Sequence, residues 1–329
     1  SSLKANTTGC CNTSLGRSSL NANTTGCYNT AVGRGALQTN TTANNNTAVG
    51  FLSLFDNTTG YQNTAVGLCS IVSNTTGPDN VAVGWCANAS NTSGCENTTV
   101  GSFAFKSNTT GCYNVAIGRR SLQSNTSANC NTAVGFESLK ANTTGSRNSA
   151  FGCAALFNGT TGSLNTGLGF ETLYNLTTGT DNIAIGNGSG GGGSPFNVTT
   201  QSYRGIFGNN DLSNAYIRVA WTVTSDARDK TNFGTVPHGL DFVNKLEPVS
   251  FQFKKSREDD TPHGPMHYGF KAQDILALEG DNNVIIDDEQ LEHLKYKGEH
   301  LVPVLVNAIK ELKSQNEDLK SRIEVLESN

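Results

Sequence analysis

Ser225 and Lys230 lie five positions apart and bring together a hydroxyl and an amine. A serine hydroxyl becomes a nucleophile when a neighbouring base takes its proton. A lysine can be that base only where burial or nearby cations favour its neutral form. Five residues on a regular helix place two side chains about 140° apart, so this pair would have to meet through a turn or between subunits. The spacing alone does not identify a catalytic site.

Other residues with metal or phosphate chemistry are weaker candidates. His263 and His267 flank Gly264-Pro265-Met266, a spacing that suits a metal only on a helix, and proline disfavours that helix. They are interpreted as ordinary loop histidines. The run from Gly190 to Gly193 lacks the lysine and the helix start of a phosphate-binding loop. No metal and no cofactor are predicted.

All nine cysteines lie before residue 154, and their spacing does not match a zinc site. Stacked strands lie about 4.8 Å apart, which a disulfide tolerates. Two interpretations are open: disulfide bridges in an oxidising setting, and free thiols packed as small apolar side chains. Three pairs share a repeat phase in adjacent repeats: Cys10 with Cys27, Cys69 with Cys86, and Cys95 with Cys112.

The first part of the chain, up to Gly186, is a repeat of seventeen residues without insertion or deletion. A fixed short period predicts a solenoid, in which each unit stacks only on its neighbours. The glycine that closes each repeat recurs at Gly16, Gly33, Gly50, Gly67, Gly84, Gly101, Gly118, Gly135, Gly152, Gly169 and Gly186.

Each repeat has three apolar or small positions. The residue before the glycine is bulky and apolar, as in Val32 and Ile117, and the residue before that is usually small, as in Ala31. Neighbours in a strand point to opposite faces, so we expect both faces to be buried. A further apolar residue four positions after the glycine, such as Leu37, is expected to close a thin core.

Polar residues mark the corners of the predicted coil. An asparagine recurs without a break from Asn12 to Asn182 and is expected to form a hydrogen-bonded ladder. Phrases such as Asn57-Thr58-Thr59-Gly60 fit a β-turn. The regular threonines within them suit a solvated face, and an ice-binding array is a remote alternative.

The phrase Asn-Thr-Ala-Val-Gly is similar to the repeats in the heads of trimeric bacterial adhesins. That resemblance covers residues 1–186 and implies a left-handed β-roll in an intertwined homotrimer. So few apolar positions per repeat would stabilise a lone column poorly, which also favours association. Residues 187–224 are predicted to be a Gly-rich flexible linker followed by a short β neck.

Residues 225–329 resemble the endosialidase-type intramolecular chaperone of phage tail spikes and fibres, which trimerises the fibre and then cuts itself off. The resemblance rests on four ordered blocks: Ser225-Asp226-Ala227-Arg228-Asp229-Lys230, Leu246-Glu247-Pro248-Val249-Ser250-Phe251, His267-Tyr268-Gly269-Phe270-Lys271-Ala272-Gln273-Asp274 and Leu301-Val302-Pro303-Val304-Leu305-Val306. It implies an α+β domain.

By this resemblance the scissile bond is Thr224–Ser225, with Ser225 as nucleophile and Lys230 as general base. Asp226, Arg228 and Asp229 match the pattern and are assigned only orienting or electrostatic support, and Asp229 is equally well read as a helix cap or a solvated charge.

A helix from about 301 to 329 is predicted to end the domain with a coiled-coil seam. β-branched residues alternating with leucine favour two strands in isolated peptides, whereas the rest of the chain favours a trimer. The seam residues are Val302, Leu305, Ile309, Leu312, Asn316, Leu319, Ile323 and Leu326.

Composition limits the functions further. A net charge of −4 at pH 7 disfavours nucleic acid as a partner, and the chain lacks the run of about 18 apolar residues that a membrane span needs. The single methionine, Met266, suggests a piece of a longer chain. The sequence therefore predicts a mainly β, homotrimeric tail fibre or spike of a virion that binds a host receptor, with a glycan as one candidate. A cell-surface adhesin carrying the same chaperone is the alternative.

Overall fold

The computed structural model describes residues 1–192, 194, 196–212, 218, 225–254, 259–280, 283–289 and 291–328. The chain divides into two compact units, Ser1–Asp211 and Leu212–Asn329. Among the described residues, no helix combines the length and the apolar character needed to cross a membrane.

The first unit is a parallel β-solenoid in which each repeat contributes one three-residue strand to a twelve-stranded sheet. The strands stack in chain order with a register offset of seventeen residues, as in the pairing of Thr30 with Thr47. The predicted solenoid is thereby confirmed. The strands are β1 Thr13–Leu15, β2 Thr30–Val32, β3 Thr47–Val49, β4 Thr64–Val66, β5 Val81–Val83, β6 Thr98–Val100, β7 Val115–Ile117, β8 Thr132–Val134, β9 Ser149–Phe151, β10 Thr166–Leu168, β11 Ile183–Ile185 and β12 Gly205–Phe207.

The core of the solenoid is a single inner row of large side chains covered by the small residues of the strands. Leu37 and Ala31 are both fully buried, and this pattern recurs along the sheet. The prediction of a thin apolar core is confirmed. The inner row consists of Leu20, Leu37, Leu54, Ile71, Asn88, Phe105, Leu122, Leu139, Leu156 and Leu173.

The bulky residue before each glycine points outward, so the expectation that both faces of the strand are buried is wrong for a single chain. Val83 is 37% exposed and Leu168 is 48% exposed, whereas the small residues between them and the core are buried. The inner row already fills the narrow interior, which leaves space only for small side chains on the inner face. We call the outward residues the outer row: Leu15, Val32, Val49, Val66, Val83, Val100, Ile117, Val134, Phe151, Leu168 and Ile185.

The closing glycine is required by the backbone. Gly84 has a φ of 137°, in a region that residues with a side chain rarely adopt, and a Cβ there would lie 2.8 Å from the carbonyl carbon of Gly101 in the next coil. The same conformation and close approach recur from coil to coil, which explains the unbroken glycine phase.

Two asparagine ladders run through the solenoid. The N–H of Asn46 donates to Oδ1 of Asn29 at 3.0 Å, and the Asn46 amide donates to the carbonyl of Gly60 at 2.9 Å. The predicted ladder is confirmed. A second ladder was not predicted: the first asparagine of the turn phrase is also buried, and the Asn57 amide donates to Asn40 Oδ1 at 3.0 Å.

The threonines of the turns also bond between coils. The hydroxyl of Thr58 donates to the carbonyl of Thr75 at 2.9 Å, and its equivalents do the same along the sheet. These hydroxyls hold adjacent coils together, which fits a structural role better than a free array for ice.

The solenoid continues beyond Gly186, which corrects the prediction of a flexible linker and a separate β neck. Strand β12 pairs in parallel with β11 at an offset of 22 residues. Phe196 and Val198 pack in the apolar core, so five extra residues are accommodated within a twelfth coil. The predicted neck strand Tyr216–Thr224 lies outside the described residues, apart from Arg218.

The second unit combines two short helices and one long helix with small antiparallel sheets. Its helices are α1 Leu240–Val243, α2 Ala272–Glu279 and α3 Leu301–Glu327, and its strands are β13 Val249–Lys254, β14 Pro262–Gly269, β15 Ile286–Asp287 and β16 Lys295–Tyr296. Strand β13 pairs with β14, and β15 pairs with β16. The fold class predicted for this segment is confirmed.

A small core holds the second unit together. It contains Phe242 of α1, Ile275 of α2, and Leu301 and Val304 of α3. The buried carboxylate of Glu279 accepts backbone N–H bonds from residues 284, 285 and 286 at 2.7 to 2.9 Å. These bonds satisfy a charge that would otherwise be costly to bury.

Candidate functional site

Ser225 and Lys230 meet across a single 3₁₀ turn, Ala227–Asp229. The Asp226 side chain caps this turn by accepting the N–H of Arg228 at 2.9 Å, and the Lys230 N–H donates to the Ala227 carbonyl at 3.2 Å. The turn brings Lys230 Nζ to 2.6 Å from Ser225 Oγ. Of the two arrangements that the sequence leaves open, the structure shows contact through a turn.

This contact has the geometry of a nucleophile and its base. A neutral amine at this distance could take the hydroxyl proton, whereas an ammonium can only donate to the oxygen. Both side chains are exposed in the single chain, and burial is one of the effects that favours a neutral lysine. Thr224, the other side of the predicted scissile bond, lies outside the described residues.

The exposed Arg228 and the half-buried Asp226 form an ion pair beside the dyad. The Arg228 guanidinium donates to both carboxylate oxygens. Hydrogen bonds from its side chain and from its backbone N–H lower the pKa of Asp226, and the same carboxylate raises the pKa of Arg228. This ion pair stabilises the 3₁₀ turn. Asp229 is exposed at the end of the turn, and the capping role that seemed open to it belongs to Asp226.

Helix α3 carries the predicted seam along its whole length. Leu301, Val304 and Ala308 are buried on one side of the helix, but the seam leucines and β-branched residues are exposed. Ile309 is 66% exposed and Leu326 is 76% exposed. An apolar heptad stripe on a helix of 27 residues is therefore open along one face of the single chain.

The two histidines differ from expectation in their setting. His263 and His267 lie on strand β14, opposite Phe253 and Phe251, and not in a loop. Among the described residues, no group of three or more potential metal ligands comes together.

Four exposed aromatic residues share a repeat phase that sequence reasoning missed. Phe51, Trp85, Phe136 and Phe170 are 40 to 52% exposed and follow the closing glycine of their repeats. The coils between them carry other residue types at this phase, serine and arginine among them, so the aromatic residues do not form a continuous row. Reading the residue after each glycine in the seventeen-residue frame would have shown all four.

Comparison with known proteins gives one family match, which lies within the second unit. Residues 225–284 match the family model described as chaperone of endosialidase, so the match begins at Ser225 and ends before the fourth sequence block. No curated protein and no solved structure gives a significant match. The segment from Ser225 to Val284, which follows a parallel β-solenoid in this chain, is therefore similar to the endosialidase chaperone family.

Proposed function

We propose that this protein is a phage-type tail fibre or spike whose C-terminal chaperone drives trimerisation and is then released by a single self-cleavage. Support comes from the combination of a long β-solenoid with an endosialidase chaperone domain. The solenoid is the durable body, proposed to bind a receptor on the host surface, and the virion is the proposed location.

The observation that carries the proposal is the 2.6 Å contact between Lys230 Nζ and Ser225 Oγ, at the first residue of the family match. In the proposed reaction Lys230 takes the Ser225 hydroxyl proton, and Oγ adds to the carbonyl carbon of Thr224. The C–N bond breaks, its nitrogen is protonated to become the new amino terminus, and Thr224 is left as an ester on Ser225. Water then hydrolyses the ester, freeing the Thr224 carboxylate and restoring the hydroxyl.

Association supplies what the single chain lacks. The dyad is exposed, and a lysine base requires surroundings that favour its neutral form. Two apolar features are also open in one chain, the outer row of the solenoid and the heptad seam of α3. A trimer that buries both would assemble the fibre and change the surroundings of Lys230 in one event. Cleavage would thus follow assembly.

The proposal is tested by the mass of the purified protein beside Ser225→Ala, with Thr235→Ala as a matched control. Thr235 is an exposed hydroxyl in the same segment, outside the dyad. The natural chain and the control are expected to yield fragments 1–224 and 225–329, and Ser225→Ala to remain whole. Fragments from Ser225→Ala at that bond, or an intact natural chain after complete assembly, would overturn the proposal.

A further inference from the structure

Cys10 and Cys27 occupy the same phase in the first two coils of the solenoid. Their sulfur atoms lie 2.9 Å apart, and the N–H of Cys10 donates to Cys27 Sγ at 3.1 Å. Cys10 is exposed and Cys27 is half-buried, so reagents in solvent can reach both thiols. Adjacent parallel strands lie about 4.8 Å apart, within the Cα separations that disulfides span.

We propose that Cys10 and Cys27 form a disulfide that fastens the first two coils together when the folded protein meets a disulfide oxidant such as oxidised glutathione. The solenoid holds the two thiols side by side through strand pairing that includes Thr13 with Thr30, three residues after each cysteine. The crosslink therefore joins residues that the fold has already placed in contact.

Oxidised glutathione is the oxidant in the proposed formation of the Cys10–Cys27 disulfide. The Cys27 thiolate attacks one sulfur of oxidised glutathione, and the first glutathione leaves as a thiolate. Cys10 then attacks Cys27 in the mixed disulfide and expels the second glutathione. The protein loses two electrons and two protons, and two molecules of reduced glutathione form.

Hydrogen bonding assigns the first attack to Cys27. The Cys10 thiol and its backbone N–H both donate to the Cys27 sulfur, and these bonds lower the pKa of Cys27. The donor role of Cys10, with some desolvation, raises the pKa of that thiol to about 11. A thiolate at Cys27 is the reactive species for exchange.

The neighbours of the pair define the competing crosslinks. On the other side of Cys27 the same phase holds Asn44, whose Oδ1 accepts the Cys27 N–H at 2.7 Å. Cys11 is the adjacent thiol in the chain and the main competitor. Cys95 and Cys112 repeat the N–H to sulfur contact at 3.0 Å further along the sheet.

The test incubates the folded protein with oxidised glutathione, alkylates free thiols, then unfolds and digests the chain with trypsin. Cleavage after Lys4, Arg17 and Arg34 separates Cys10 and Cys27 into peptides 5–17 and 18–34. We expect these peptides joined, two hydrogens lighter than their sum. The joined product should be lost in Cys10→Ser and kept in Cys11→Ser. It should also be kept in Cys153→Ser, a control cysteine that has phenylalanine, Phe136 and Phe170, at the same phase in both adjacent coils.

Two results would overturn the proposal. One is recovery of peptides 5–17 and 18–34 from the natural protein with every cysteine alkylated. The other is a joined product that disappears in Cys11→Ser and persists in Cys10→Ser. The first result uses only the natural protein, so it does not depend on how the Cys10 variant folds.

Discussion

Lys230 Nζ lies 2.6 Å from Ser225 Oγ, across a 3₁₀ turn that the Asp226 carboxylate caps. The hydrogen bonds that bring these two groups together lie within residues 225–230. What the single chain does not provide is burial, because both side chains are exposed. The geometry of the dyad is local, and we attribute its activation to assembly.

Replacing the base tests the role of Lys230. Lys230→Arg keeps the positive charge, but a guanidinium does not lose its proton in proteins and cannot act as a base. Self-cleavage is expected to slow by about 10² to 10⁴-fold, the usual contribution of general base catalysis. The rate is measured as loss of intact chain over time. Lys245→Arg, an exposed pair partner of Asp241, is the control and should cleave at the normal rate.

A charge on the outer row tests association through the solenoid. Val83→Asp places a carboxylate between Val66 and Val100, at a residue that is 37% exposed in one chain. A single chain tolerates it, but a trimer that covers the row would have to bury the charge. Sedimentation velocity should show the trimer lost or weakened.

The matched control for the outer row is Thr76→Asp, an exposed position in the turn of the same solenoid. It should leave the assembly unchanged. If Val83→Asp assembles as well as this control, the outer row is not an interface.

One coil carries two buried polar side chains that the repeat does not require. Both amide atoms of Asn88 and the hydroxyl of Thr99 are buried and have no hydrogen-bond partner among the described residues. Four repeats later the equivalent positions are Leu156 and Gly167, and a Cβ on that glycine would lie 3.5 Å from Leu156 Cγ. Asn88 and Thr99 therefore occupy neighbouring sites in the core.

Returning this pair to the residues of the other coils should stabilise the solenoid. The double variant Asn88→Leu with Thr99→Ala removes the unpartnered polar groups and is expected to raise the free energy of unfolding by about 2 kcal/mol. Chemical denaturation of the double variant and of both single variants measures the gain. An unchanged or lower stability of the double variant would show that these groups have partners in solution.

Acid should weaken a specific ion-pair cluster in the solenoid. Burial alone would raise the pKa of Glu137, but hydrogen bonds from Lys140 and Arg120 outweigh it and hold the pKa below 4.5. A depressed carboxyl pKa contributes stability above the ordinary pKa, and this is lost as the pH falls through the folded value.

Glu137→Gln tests this cluster because it removes the charge and keeps the size. The variant should be less stable than the natural protein by about 1 kcal/mol at pH 7. The difference should be smaller at an acidic pH below the depressed folded pKa of Glu137, because protonation there removes the charge on which the ion pairs depend. Thermal unfolding at both pH values measures it, and an equal difference at both would contradict the assignment.

The solenoid could be predicted from sequence because each structural requirement of a coil recurs at a fixed position of the seventeen-residue repeat. The closing glycine has a φ between 116° and 141° from Gly16 to Gly186, the asparagine row of Asn46 is unbroken, and the inner row of Leu37 departs from apolar residues only at Asn88. The twelfth coil was missed because five inserted residues break the phase, although Gly205-Ile206-Phe207-Gly208 repeats the strand phrase. Alternation in the strand showed two faces but could not show that the interior is already full.

The candidate site was predictable in part. A resemblance over residues 225–230 placed the serine and the lysine, and the turn that joins them depends on a cap by Asp226, which the sequence did not distinguish from Asp229. Exposure of the dyad in the single chain could not be predicted, because residue types and spacing do not show which parts of a surface the rest of the chain covers.

The central claim is tested most directly by the assembly state of the uncleaved chain. Ser225→Ala should stay whole, and sedimentation equilibrium should then give three times the chain mass of 34.7 kDa. Circular dichroism on the same sample reports whether the chain is folded. A well-folded species of 34.7 kDa, stable as a single chain, would contradict the account.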